Sequence, residues 1–320
     1  MSAKIKICMI GCGKTATKHA SALVKCGFEI THVLNNNNKN RIIEFAKKFK
    51  VKNIIEEKNH FFTKNFSVDA FVVVVPPKNL EEYTKRIINL KKPALVEKPL
   101  SLNVGFLNKY KNNKLIMVGF NKRYYKSILE AKKFVKDRKK YLANIVLPES
   151  INYLNYKNKK KFILTKHFSN SVHVFDLLNW IFGKVVLVRK NIVKSKNKMN
   201  GYICLFKDSK NNYINFYSPW NSPENYSISI NDGKFLYKIS PLEVAKIFNG
   251  FDIRLTKKNT KKYIPKEIKY IEDEKSSFAN GFFLQAKLFS KFCKKYKKIN
   301  IPLIKDAYEA QKIANKLVYK

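Results

Sequence analysis

Between an apolar run, Ile5–Ile10, and an amphipathic stretch, Thr15–Lys25, stands the turn Gly11-Cys12-Gly13-Lys14-Thr15-Ala16. No other feature constrains the fold as much. A strand that leaves through a glycine turn into a helix is the opening unit of an open, doubly wound α/β sheet. Gly11 permits the tight turn, and Gly13 lets the backbone approach a pyrophosphate. Small Ala16 lets helix and strand pack closely, and Lys14 and Thr15, at the end of the turn and the start of the helix, are taken with them as cofactor-binding residues. Glycines end many strands, so the strand-before, helix-after setting carries the signal.

The first 120 residues keep that grammar. Strands are expected at Ile5–Ile10, Glu29–Leu34, Ala70–Val75, Ala94–Val96 and Leu115–Gly119, with helices at Thr15–Lys25, Lys39–Phe49, Leu80–Leu90 and Val104–Lys111. Three strands are continuous apolar runs, which suits parallel strands covered on both faces. In the second helix Ile42, Ile43, Phe45, Ala46 and Phe49 follow helical periodicity. Alternation of this kind predicts a doubly wound parallel sheet over residues 1–120.

After Gly119 the pattern changes. A helix over Ser127–Lys136, a strand at Asn144–Leu147 and an apolar helix over Ser171–Phe182 lead to Gly183. From Lys184 to Ser240 several strands are expected, separated by turns at Lys198–Gly201, Lys207–Asn212 and Asn231-Asp232-Gly233; the last is a hairpin signal. Thr256–Lys269 is polar and lysine-rich, expected as an exposed excursion, and two helices, Ser277–Lys295 and Lys305–Lys320, close the chain. Residues 121–320 are therefore expected to form a second, α+β domain with a mostly antiparallel open sheet, its final helices able to pack back on the first domain.

Composition excludes several classes. Hydrophobic content of 45% with 13% aromatic is that of a globular chain. No stretch reaches the ~20 apolar residues of a membrane span, and Met1–Cys8 lacks the apolar core of a secretory leader. A cytoplasmic protein with no membrane association is expected. The five cysteines are odd in number and contain no Cys-x-x-Cys pair, so neither disulfides nor a metal site is expected. The net charge of +42 would suit a polyanion partner. Nearly all of it is lysine, however, spread along a chain also rich in asparagine and isoleucine, and no nucleic-acid motif is present. Composition drift accounts for it, and no nucleic-acid partner is expected.

The tripeptide Glu97-Lys98-Pro99 closes the run Ala94–Val96. A lysine there lies at the sheet edge where open α/β folds bind ligands, and the proline stiffens the strand exit. Some twenty residues after the glycine turn, where a carboxylate would mark NAD, the chain has Asn35, Asn36, Asn37 and Asn38, then Lys39 and Arg41. Asparagine bonds a ribose hydroxyl without repelling a 2′-phosphate, and Arg41 can pair with one. The cofactor is expected to be NAD or NADP, with the preference open.

Five motifs in register resemble the glucose-fructose oxidoreductase / inositol dehydrogenase / MocA (Gfo/Idh/MocA) family of NAD(P)-dependent oxidoreductases. They are Gly11-x-Gly13-x-x-Ala16 followed by His19 and Leu23; Val74-Val75-Pro76-Pro77; Glu97-Lys98-Pro99-Leu100; Gly119-Phe120-Asn121-x-Arg123; and His173-x-x-Asp176-Leu177-Leu178 running to Trp180 and Gly183. The resemblance implies a Rossmann domain followed by an open-sheet domain, in a homodimer or homotetramer. It implies that Lys98 bonds the reacting oxygen, that His173 is the acid/base, and that Lys98–Pro99 is often a cis bond. Pro76, Glu97 and Lys98 would join the cofactor residues, and Lys98, Asn121, Arg123, Ser169, Asn170 and Asp176 would contact a small sugar-type substrate. Imidazole titrates near neutrality, which suits moving a proton on and off an alcohol. On a regular helix Ser169, His173 and Asp176 would share one face.

The chain departs from that pattern at Ser169, where the family commonly has Asp or Asn, at the missing glycine-rich lead into the helix, and at Leu80. The function expected is hydride transfer to or from a secondary alcohol or ketone of a sugar, nucleotide-sugar or cyclic polyol. A catalytically silent dinucleotide-binding protein is the alternative, and a basic nucleic-acid binder a distant third. Lys98 tests the first. Lys98→Met keeps length and packing but removes the charge and donors, so turnover should fall by orders of magnitude with cofactor binding kept. Steady-state kinetics beside a nucleotide-binding isotherm measures both.

Overall fold

A computed structural model describes residues 4–34, 38–55, 67–152, 157–195, 198–272, 281–295 and 299–319. They fall into two compact units, one drawn from 1–121, 167–172 and 276–314, the other from 122–166, 173–275 and 315–320.

In the first unit β1 (Ile5–Ile10), β2 (Phe28–Leu34), β3 (Asn53–Ile55), β4 (Ala70–Val73), β5 (Ala94–Val96) and β6 (Ile116–Val118) form one sheet ordered β3-β2-β1-β4-β5-β6. All of its pairings are parallel. Ile7 to Ile10 and all of β4 are buried, as strands covered on both faces must be. The chain runs outward from β1 in one direction and from β4 in the other. The switch point, where such sheets bind ligands, therefore lies between β1 and β4. Helices α1 (Lys14–Lys25), α2 (Lys39–Phe49), α3 (Pro77–Asn89) and α4 (Val104–Tyr110) intervene.

Most differences from the sequence reading are at boundaries. β4 stops at Val73 and α3 begins at Pro77 rather than Leu80, because proline is well suited to the first helical turn. β3 was not anticipated: Asn-Ile-Ile is too short and too exposed to show alternation. Near the C-terminus a helix at Phe282–Cys293 stacks Phe289 on Phe28 of β2 at 5.5 Å, and Val118 donates to Pro302 O at 2.8 Å.

The second unit contains an eight-stranded sheet built from β7 (Leu142–Val146), β8 (Val185–Ser195), β9 (Lys198–Asp208), β10 (Tyr213–Pro219), β11 (Ser227–Asn231), β12 (Phe235–Ile239), β13 (Val244–Leu255) and β14 (Lys261–Glu272). Its order is β14-β13-β12-β11-β7-β10-β9-β8. β7 and β10 pair parallel, and the other neighbours pair antiparallel. Alternation is plain in β10, where Ile214 and Phe216 are buried while Tyr213, Asn215 and Tyr217 are exposed. The buried face takes helices Lys126–Lys136 (α5) and Val172–Phe182 (α7) through pairs such as Phe134–Tyr237 and Phe175–Phe216.

Asn231-Asp232-Gly233 is a hairpin turn, with Asp232 Oδ1 accepting from the amides of Lys234 and Phe235. One other expectation is corrected and another refined. Lys198–Gly201 is not a turn but the start of β9, and its glycine and asparagine accompany a register shift against β8. Thr256–Lys269 is exposed as expected, but it is mostly regular strand, since β13 and β14 pair as far as Leu255 and Lys261 with a tight turn between. Their side chains there face solvent, so lysine-rich composition does not oppose a strand. α6 (Lys159–Lys166) was also missed, having only Ile163 buried.

Phe216 lies between Phe175 at 5.9 Å and Phe206 at 5.8 Å, fully buried. Phe216→Ala should cost about 3–5 kcal/mol, and Phe216→Leu distinctly less, measured by urea unfolding.

Candidate dinucleotide and substrate site

β1 delivers Gly11 to the switch point with a φ of +102°, and a Cβ there would lie 2.1 Å from Val74 O. Only glycine fits, because the backbones leaving β1 and β4 nearly touch. At Gly13, by contrast, a Cβ would meet nothing within 4 Å. Gly13 is the N-cap of α1, which has no side-chain cap and no acidic residue in its first turn. Its amides and the positive end of its dipole are arranged to receive an anion. Gly11 to Ala16, Asn38, Arg41 and Val74 to Pro76 line one cleft of about 410 Å³.

That lining brings together six of the residues expected to hold the cofactor: Gly11, Gly13, Lys14, Thr15, Ala16 and Pro76, with Arg41 as a seventh. Arg41 is placed by α2, whose N-cap Asn38 accepts from the Arg41 amide at 2.9 Å. Asn35 and Asn36 lie outside the described residues. The uncapped helix end, the open space at Gly13 and the guanidinium all fit a dinucleotide diphosphate.

Lys98 follows β5 on the same sheet edge, half-buried, with a cis bond to Pro99. Its Nζ donates to Ser169 O at 2.8 Å. Glu97 does not line the cleft. Its Oε1 accepts from His19 Nε2 at 2.7 Å and its Oε2 from the Lys98 amide at 3.0 Å.

The segment carrying Ser169 and His173 departs from the regular helix expected. His167–Ser171 is a π-helical turn and the α-helix begins at Val172. The i, i+4, i+7 face expected for Ser169, His173 and Asp176 is therefore corrected, because the wider turn moves Ser169 out of α-helical register. The Ser169 carbonyl is the group that accepts from Lys98 at 2.8 Å. His167 is fully buried beside Ser171 Oγ at 3.3 Å, and burial lowers its pKa to about 3. His173 is buried in the first turn of α7, and Asn170 is exposed.

Arg123 and Asp176, both expected at substrate, are buried and paired with each other. Arg123 Nε donates to Asp176 Oδ2 at 2.7 Å, its second nitrogen donates to Oδ1, and its guanidinium lies 4.5 Å from the Trp180 ring centre. A bidentate pair of this kind holds the 3-10 turn Asn121–Tyr124 to α7. Asn121, in the same turn, is buried. Sequence reasoning noted His19 only as a motif position and missed its partner. The available signal was a histidine on the buried face that α1 makes with Ala16, Ala20 and Leu23, since a buried polar group must be hydrogen-bonded.

The two glycines separate experimentally. Gly11→Ala forces a side chain into Val74 O and should lower the melting temperature by several degrees. Gly13→Val should melt near wild type yet lose dinucleotide binding by at least about a hundredfold. Thermal melts and nucleotide fluorescence titration measure the two effects.

Residues 5–113 match the family model described as the GFO_IDH_MocA oxidoreductase family, NAD-binding Rossmann fold. Myo-inositol 2-dehydrogenase of Thermotoga maritima is 24% identical over 194 residues, which is 57% of this chain and 56% of that protein. The chain thus spans little more than half the length of that relative. A myo-inositol dehydrogenase of Corynebacterium glutamicum superposes with a TM-score of 0.70 at 15% identity, over 98% of this chain and 95% of that one. A UDP-N-acetylglucosamine 3-dehydrogenase of Acidithiobacillus ferrooxidans gives 0.70 at 14%, over 98% and 97%. At those identities the likeness shows the shared fold. With the glycine turn, the strand order and the family model in agreement, residues 5–113 belong to the Gfo/Idh/MocA oxidoreductase family as its NAD-binding Rossmann domain.

Proposed function

We propose that the chain is an NAD(P)-dependent dehydrogenase or reductase acting on a CH–OH group, or the matching ketone, of a sugar, nucleotide-sugar or cyclic polyol. The observation that carries this reading is Lys98. Its ammonium is tethered to Ser169 O at the same sheet edge as the anion-binding cleft. The neighbours named for inositol and UDP-N-acetylglucosamine chemistry support the substrate class. In this reading residues 1–120 hold the cofactor and 121–320 the substrate.

The diphosphate would rest on the amides at Gly13, Lys14 and Thr15, with Arg41 near the adenosine ribose and Pro76 along the cleft wall. A dinucleotide bound there supplies the hydride acceptor or donor. Lys98 hydrogen-bonds the reacting oxygen and stabilises the charge that develops on it. His173 takes the hydroxyl proton as an alcohol is oxidised and returns it in reduction. Arg123 and Asp176 then support the His173 helix, leaving substrate contacts to Asn121, Ser169 and Asn170.

The test is a panel of cyclic polyols, sugars and nucleotide-sugars offered with NAD⁺ and NADP⁺, followed by nicotinamide absorbance. Turnover of at least one substrate, lost in Lys98→Met and His173→Gln, is expected. Tight nucleotide binding with no turnover across the panel would favour the silent alternative. Arg41→Ala should weaken NADP(H) about tenfold more than NAD(H) if Arg41 meets a 2′-phosphate. Equal weakening would remove that contact.

A further inference from the structure

The Glu97 carboxylate stands behind Lys98, and every bond it makes points to the same task. One oxygen accepts from the amide of Lys98 itself at 3.0 Å, and the other from His19 Nε2 at 2.7 Å. Both side chains are buried, His19 at 2% exposed and Glu97 at 11%. His19 lies on α1, the helix whose first turn forms the anion-binding end of the cleft. The ring of Phe282 meets the imidazole edge-on at 4.7 Å and 84°, which limits its rotation. On the remaining side a Cβ at Gly119 would come within 2.9 Å of Glu97 Oε1 and 3.1 Å of Glu97 Cα. A glycine there lets β6 close over the carboxylate.

We propose that His19 and Glu97 are positioning residues that tie the backbone of Lys98 to the cofactor-binding helix, a role resting on the function given to Lys98 above. The lysine is then held at both ends. Its amide is anchored through Glu97 to α1, and its ammonium is anchored to the Ser169 carbonyl. Because α1 also presents the diphosphate amides, one helix sets the position of cofactor and lysine together. Misplacement of a reacting group by about an ångström is enough to cost large factors in rate. The pair lies outside the lining of the cleft and acts through Lys98.

Peptide-resolved reductive methylation with formaldehyde and cyanoborohydride reports on Lys98 without any substrate. Exposed Lys157 in the same digest serves as the internal standard. Glu97→Ala and His19→Phe should change the Lys98 rate by about threefold to tenfold while Lys157 is unmoved, the scale of one lost buried hydrogen bond. Glu97→Gln should stay within about twofold of wild type, because its carboxamide accepts from Lys98 and donates to His19. Gly119→Ala deletes no polar group and should move the Lys98 rate in the direction of Glu97→Ala, which keeps the test open if that variant folds poorly. On any substrate from the panel, kcat should fall about tenfold to a hundredfold with KM and nucleotide affinity near wild type.

Unchanged Lys98 rates in His19→Phe and Glu97→Ala would overturn the proposal, as would failure of Glu97→Gln to restore them. Equal losses in Lys98 behaviour and nucleotide affinity would mark the pair as general scaffolding and also overturn it. Turnover that survives Lys98→Met would instead defeat the functional reading, whatever the methylation rates show.

Discussion

At the switch point of the six-stranded sheet two chain exits come so close that no side chain can stand between them. A Cβ on Gly11 would lie 2.1 Å from Val74 O, and both residues line the cleft. This close approach brings the β1 and β4 exits side by side, with the first turn of α1 and Pro76 lining the same cleft. A parallel sheet buried on both faces makes the approach unavoidable, because β1 and β4 are hydrogen-bonded neighbours along Ile7–Ile10. The positive φ at Gly11 is the backbone conformation that this geometry needs.

The two sheets solve different problems. The central strands of the six-stranded sheet are covered on both sides, so β1, β4, β5 and β6 are short apolar runs, while the edge strand β3 is largely exposed and carries no such signal. The eight-stranded sheet packs helices on one face, so its strands alternate and its outer residues are free to be polar. Lysine enrichment therefore falls where it costs least, on exposed strand faces such as β13–β14. Within the second unit the charges that matter are the few that are buried and paired. Arg123 with Asp176 is the clearest case, and breaking such a pair is far more damaging than its net contribution suggests.

The π turn at His167–Ser171 breaks the regular helix just before α7 and brings a backbone oxygen to Lys98. The Ser169 carbonyl accepts from the Lys98 ammonium at 2.8 Å. Wide turns of this kind loosen the regular helical bonding and recur at functional positions.

Local signals carry information only about what is local, and the boundary between legible and illegible follows from that. Glycine spacing, apolar runs and helical periodicity made the parallel sheet, the glycine-turn cleft and the position of Lys98 at a strand end readable from the amino acids alone. Each depends on a stretch of chain short enough that its own residues decide its conformation. The sequence also placed Asn231-Asp232-Gly233 correctly, because a two-strand reversal is a local event. It misplaced Lys198–Gly201 and missed the strand in Thr256–Lys269, where strand pairing across the sheet outweighs polar composition. Tertiary structure alone decided that Glu97 turns inward to His19, that Arg123 meets Asp176, and that the Ser169 carbonyl meets Lys98. Those partners lie 78, 53 and 71 residues apart, and no periodicity encodes them. They exist because buried polar groups must find partners among whatever the packed core brings within reach.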